Sequence, residues 1–309
     1  MQEWPSVNTP TDIRTQAPVP RHAATVLLLR DGPEGVEILL TRRHQKLAFL
    51  GGLWVFPGGA LSDADFSPPA LERIPSASQA ACSRLADPHG EPLPRERCLG
   101  LAVAACRETF EETGVLLAST AGGSPCSQAQ TAELQSCRRT IVAHPERFAS
   151  LLQEEALFLE VDQLIYWAHW ITPSLAPRRF DTRFFVAAVP PGQTSTVDDI
   201  EAVEQAWMRP EALVAASVGG TLAVAAPTLY TTIELAAALQ EHATLPALLS
   251  AQAGRSVVSM MPKVLPGTRT VLMPWDPEYP DVPGEGTLPG REFPAVLRGQ
   301  ASRVIHHVP

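Results

Sequence analysis

Apolar residues recur along this chain in two rhythms. Residues 23–29 and 36–43 are β-leaning runs separated by Asp31-Gly32-Pro33-Glu34-Gly35, a pattern that predicts a strand, a turn and a second strand. A loop over 44–52 leads to Leu53-Trp54-Val55-Phe56, a short strand that stops at Pro57-Gly58-Gly59. From Arg95 to Thr113 the rhythm changes, with Leu99, Val103, Cys106 and Phe110 three or four residues apart, so this stretch is expected to be a helix, with Gly114 as its C′ cap. A short strand is expected at 115–118, a polar helix or loop at 128–139, and a helix over 145–159 opened by Pro145. Residues 164–172 and 179–189, dense in aromatic and β-branched side chains, read as central strands. Helices follow from Pro210 and over 228–242. Beyond Gly254 a hairpin (256–265 with 270–275) and a last strand after Arg303 are expected. There is no internal repeat.

The helix over 95–113 carries a second pattern on its other side. Glu108, Glu111 and Glu112 stand at i, i+3 and i+4, which places three carboxylates on one helical face. Each like-charge pair there costs ~0.2–0.5 kcal/mol, and proximity to the negative helix end a further ~0.3–1 kcal/mol on an exposed face. A divalent cation would remove both penalties. A solvated acidic surface has the same spacing, and the residues upstream separate the two readings.

Composition narrows the field. With 309 residues, 45% of them hydrophobic, the chain can fill a sizeable core. A net charge of -9 without a Lys/Arg cluster argues against nucleic acid or an anionic membrane as main partner. Five cysteines with no C-x-x-C pair fit reduced thiols. The N-terminus has no basic-then-apolar leader, no apolar run is long enough to span a membrane, and the last residues form no known address signal, so the expected home is the cytoplasm.

Gly59, then Asp65 after a five-residue gap, then Arg107-Glu108-x-x-Glu111-Glu112-x-Gly114-Val115 resemble the Nudix hydrolase box, G-x5-E-x7-R-E-U-x-E-E-x-G-U. The chain departs from it in three places. Asp65 replaces Glu, Thr109 stands at an aliphatic position, and 41 residues (107 − 65 − 1) separate Asp65 from Arg107 instead of seven, an insertion of 34. Loop lengthening between a turn and a helix is thermodynamically cheap. Just upstream, Leu39-Leu40-Thr41-Arg42-Arg43, Gly52 and Phe56-Pro57-Gly58-Gly59 resemble the motif of coenzyme A diphosphatases, with His44 and Ala48 as departures. The interrupted box, with Trp170 to Pro173 and Arg178 to Phe185, looks most like the acyl-CoA diphosphatase branch.

The resemblance implies an α/β/α sandwich around a mixed β-sheet, divided into an extended arm (1–20), a Nudix domain (21–250, insertion about 66–97) and a β-rich extension (251–309). It implies Mg²⁺ or Mn²⁺ held by Glu108, Glu111, Glu112 and the Gly58 carbonyl, with Arg107 bracing the acids. A further acid is sought at 198–207, with Glu201 chosen and Glu204 in reserve, as metal ligand or general base. Arg42, Arg43, Gly59 and Arg179 are the expected substrate contacts. For the arginines the alternatives are a solvated loop and pairing with Asp181 or nearby acids. Trp54, Tyr166, Trp167 and Trp170 stack on adenine or fill the core, and His169, His306 and His307 receive no role. The implied reaction is cleavage of the coenzyme A or acyl-CoA diphosphate, giving (acyl-)phosphopantetheine and adenosine 3′,5′-bisphosphate. The alternatives are another small nucleoside diphosphate substrate, such as NADH or ADP-ribose, and a non-catalytic nucleotide sensor. The extension packs on the sheet edge or forms a homodimer contact.

Overall fold

The computed structural model describes residues 17–47, 49–197, 202–242, 244–268 and 270–305. Its strands are β1 (Arg21–Gly32), β2 (Gly35–Arg43), β3 (Trp54–Val55), β4 (Gly58–Ala60), β5 (Ala118–Thr120), β6 (Leu157–Leu159), β7 (Ile165–Ile171), β8 (Phe180–Ala188), β9 (Ala202–Met208), β10 (Ser259–Met260), β11 (Lys263–Val264), β12 (Thr270–Leu272) and β13 (Arg303–Ile305). Eight of them form one sheet in the order β10-β7-β8-β1-β2-β3, with β4 beside β1 and β9 beside β2. It is mixed: β1 runs parallel to β8, and β2 and β4 run antiparallel to β1.

Period-two alternation in β1 sorts its side chains between two cores. Val26 and Leu28 pack with Leu99, Val103 and Phe110 of the helix Arg95–Thr113. Leu27 and Leu29 face Leu213, Tyr230, Leu235 and Leu248, from the helices Pro210–Val218, Ala226–Glu241 and Leu245–Gln252. Each buried Leu contributes roughly 1.5–3 kcal/mol. Helices thus cover both faces of a mixed sheet, as expected. Among the described residues no helix is long and apolar enough to cross a membrane. The five cysteines are free.

The long helix has the expected bounds, and Gly114 ends it at φ 70°, a left-handed conformation that glycine adopts without a Cβ penalty. Elsewhere local pattern misled. The helix expected over 145–159 spans only Glu146–Glu154, because Ala156 turns left-handed (φ 52°) and Leu157–Leu159 pairs with Ala118–Thr120. The residues after Pro57 form a strand against β1 rather than a bare turn. Ser259–Met260 leaves the expected hairpin to extend the main sheet beside β7. The insertion folds tightly: Ala70, Ile74, Cys82 and Leu85 pack in the core of the long helix. Residues 1–16 of the expected arm lie outside the described residues.

Candidate active site

Arg107 organises the acidic helix end. It is 3% exposed, and its Nε and Nη2 donate to Asp65 Oδ1 (2.8 Å) and Oδ2 (2.9 Å). Its Nη1 donates to Glu108 Oε1 and Glu111 Oε1, both at 2.9 Å, and Nη2 also reaches the Ala60 carbonyl. Burial alone would lower the pKa of this guanidinium. The Asp65 hydrogen bond and the charges of Glu108, Asp65 and Glu111 more than offset burial and hold it charged. Asp65 is placed by the 3₁₀ turn Asp63–Phe66, where it closes a capping box by accepting from the Ser62 N–H at 2.8 Å.

The acidic face is largely buried, which rules out a solvated surface: Glu111 is 7% and Glu112 5% exposed. Burial pushes the Glu108 carboxyl up to about 7; Arg107 opposes that rise and Glu111 adds to it. The expected penalty at the helix end is met by Arg138, a buried cation whose Nε donates to the Glu111 carbonyl at 2.9 Å.

The helix packs against β1 and β4, which brings the turn glycines to the acids. Gly58 N–H donates to Glu112 Oε2 at 3.2 Å. A Cβ on Gly59 would fall 2.4 Å from the Glu108 carboxyl carbon, so only glycine leaves that carboxylate its place. Glu108 and Glu111 meet on one guanidinium nitrogen and Glu112 on a backbone N–H. In this arrangement no three acidic, histidine or cysteine side chains among the described residues converge as a metal cage. The donor set nevertheless suits a hard dication: three carboxylates on one rigid helix, beside a turn that packs against them without intervening side chains.

A cavity of about 740 Å³ opens on this wall. Gly58, Gly59, Glu108, Glu111 and Arg43 line it, together with Phe49, Phe56, Trp170, Phe180 and Phe184. Other expected contacts lie elsewhere. Arg42 donates to Glu204 and the Gly52 carbonyl. Arg179 is 3% exposed and holds the Thr172 and Pro18 carbonyls and Glu285, so it ties the N-terminal and C-terminal segments to the sheet. Arg183 pairs with Asp181 at 2.8 Å and His169 also meets Asp181, a buried network away from the acids. Trp167 is core, and Trp54 packs against the second core. Glu201 lies outside the described residues, as do His306 and His307. Arg178 and Arg21, not Arg179, line the cavity. The strand expected over 179–189 starts at Phe180, so Arg178 and Arg179 lie in the preceding loop, where strand alternation does not decide which of them faces the cavity. The C-terminal extension also reaches the cavity, through Pro262 and Val271.

Comparison with known proteins agrees with this geometry. Residues 20–235 match the family model of the NUDT19 Nudix domain. The chain is 28% identical over 253 residues to the acyl-coenzyme A diphosphatase NUDT19 of Gallus gallus, covering 68% of this chain and 66% of that protein. To the protein of the same name from Xenopus laevis it is 26% identical over 202 residues, covering 56% and 53% respectively. The matches therefore span between about half and two thirds of those relatives' lengths. The crystal structure of a NUDIX hydrolase from Alicyclobacillus acidocaldarius superposes with a TM-score of 0.60 at 24% identity, over 75% of this chain and 96% of that one, which establishes a shared fold.

Proposed function

The chain belongs to the family of the NUDT19 Nudix domain, and from that premise we propose that it hydrolyses the diphosphate bond of coenzyme A or acyl-coenzyme A. The products are (acyl-)phosphopantetheine and adenosine 3′,5′-bisphosphate. One observation carries the reading. The Gly58-Gly59 strand meets Glu108 and Glu111 across 49 residues or more of sequence (108 − 59) at the wall of a cavity large enough for a nucleotide, with Glu112 behind them on the Gly58 N–H. The diphosphatase names of the relatives support the choice of substrate.

Nudix hydrolases generally need a divalent cation, and Mg²⁺ or Mn²⁺ suits an all-oxygen donor set. Glu108, Glu111, Glu112 and the Gly58 carbonyl would hold it, with Glu201 as a further acid. When bound, such a cation offsets charge on the diphosphate oxygens and makes water a better nucleophile. The protein's own part is positioning. Arg107, locked by Asp65, fixes two of the three carboxylates at 2.9 Å from one nitrogen. Glu112 is anchored on the strand that faces the substrate. Gly59 leaves room for close approach, and Arg43 presents positive charge to the substrate from the cavity wall.

The test is a metal-supplemented hydrolysis panel of coenzyme A, an acyl-coenzyme A, NADH and ADP-ribose, read by mass spectrometry. Phosphopantetheine and adenosine 3′,5′-bisphosphate are the expected products. Turnover of NADH far above coenzyme A would overturn the substrate assignment, and no turnover of any member would turn the site into a nucleotide sensor.

A further inference from the structure

The cavity has a cationic end that the diphosphate does not need. Arg21 and Arg178 both line it, and neither guanidinium has a hydrogen-bond or ion-pair partner among the described residues, not even Asp63, which lines the same cavity. Every other arginine examined above is committed to a carboxylate or a carbonyl. Both side chains are exposed and their backbones are neighbours, since the Arg21 N–H donates to the Arg179 carbonyl at 2.9 Å, so an anion from solution has two guanidinium forks to engage there.

The pairing of β1 shows how far this end lies from the acidic wall. Thr25 stands opposite Gly58 on β4, and Arg21 stands opposite Phe180 on β8. Four residues of strand separate the two positions, roughly 13 Å at ~3.3 Å per residue. A diphosphate is shorter than that, so one held at the acidic wall through a dication on the carboxylates leaves the arginine end for another group. Between them lie Ala23 and Thr182, paired across β1 and β8 and both lining the cavity. Next to Arg21, Phe180 packs on Phe49 with ring centroids 5.1 Å apart, an apolar surface suited to a flat base.

We infer that Arg21 and Arg178 form a second anion site, which recognises a phosphomonoester carried on the nucleoside half of the substrate, apart from the scissile diphosphate. This deepens the diphosphatase reading and rests on it. The site explains how a cavity with one acidic wall selects a substrate bearing an additional phosphate. It also draws on two arginines outside the upstream motif, in which Ala48 stands where a second arginine is usual.

Two measurements test the inference. In the first, kcat and KM are compared for coenzyme A and for dephospho-coenzyme A, which lacks only the 3′-phosphate, using the wild-type chain, Arg21→Ala, Arg178→Ala and Arg178→Lys. The wild type should favour the phosphorylated substrate. Each alanine variant should raise KM for coenzyme A by about tenfold, the size of one charge-assisted contact, and bring the two substrates toward parity. Arg178→Lys, which keeps the charge but not the fork, should fall between. An equal loss on both substrates, or no wild-type preference, overturns the inference. In the second, calorimetry compares adenosine 3′,5′-bisphosphate with adenosine 5′-monophosphate on the same proteins. This arm does not depend on turnover. If the panel shows another diphosphate to be the substrate, the diphosphatase reading fails, while tighter bisphosphate binding that Arg21→Ala and Arg178→Ala both weaken still supports the arginine pair. Equal binding of the two nucleotides sinks it.

Discussion

Gly59→Ala separates the geometry of the site from the stability of the fold. A Cβ at this position would lie 2.4 Å from the Glu108 carboxyl carbon and Oε2, and 2.5 Å from Oε1. Carbon atoms in contact prefer ~3.5–4.0 Å, so the carboxylate must retreat by about 1 Å or more. Gly59 is not among the glycines with positive φ, and its backbone accepts alanine. The clash is with the end of a flexible side chain, so the stability cost should be that of one strained rotamer, about 0.5–1.5 kcal/mol. Activity should suffer far more, because a displacement of ~1 Å at a catalytic group can cost about 10²-fold. Gly58→Ala is the control. Its Cβ would meet backbone, 2.4 Å from the Ala24 carbonyl oxygen and 2.6 Å from Thr25 Cα. Backbone cannot rotate away, and that variant should lose about 1–3 kcal/mol. The assay pairs urea denaturation with metal-supplemented hydrolysis. Full activity in Gly59→Ala, or unfolding as severe as in Gly58→Ala, would refute the idea that the missing side chain exists to seat Glu108.

Three further outcomes are expected. Thr109 is fully buried and its Oγ1 has no partner among the described residues, so Thr109→Val should stabilise the protein by about 1–2 kcal/mol in chemical denaturation, and a loss would mean the hydroxyl is satisfied. Glu108 has its pKa raised from 4.5 to about 7 by burial, so the folded chain binds the extra proton. With chelator present, the stability Glu108 contributes should be complete below about pH 4.5 and fall as pH rises to about 7. The difference in melting temperature between wild type and Glu108→Gln across that range isolates the effect, and a flat difference contradicts it. Glu112→Gln should keep the fold but lower metal-dependent turnover by about 10²-fold or more, since it removes a charged donor from the proposed ligand set; normal turnover would unseat the proposed site.

Sequence revealed most where the cause was local. The long helix was readable end to end because apolar spacing and a capping glycine both act within a few residues, and the hairpin of β1 and β2 was readable because its turn is short. What was hidden depended on distant partners. The strand Leu157–Leu159 exists because Ala118–Thr120 pairs with it, and β10 because β7 offers an edge. At the site, spacing alone put three carboxylates on one face. It gave no sign that they are buried, because the groups packed against them, the Gly58-Gly59 strand and the guanidinium of Arg107 locked by Asp65, come from distant sequence or depend on it. Arg178 and Arg179 differ by one residue and both precede β8, so no strand alternation told which would line the cavity and which would enter a structural clamp.

The Asp65–Arg107 pair joins residues 42 apart in sequence. In the unfolded chain, closing a loop of 41 intervening residues instead of seven costs about 1.5 kcal/mol more in entropy. The hairpin and the helix need no such closure, because their contacts are local and form early. The split box therefore predicts an order of events during refolding. Helical signal should return first, and the carboxylates should reach their final places only when Asp65 locks Arg107. Recovery of hydrolysis is therefore expected to lag behind the return of helical signal, and equal half-times for the two in a refolding experiment would refute this.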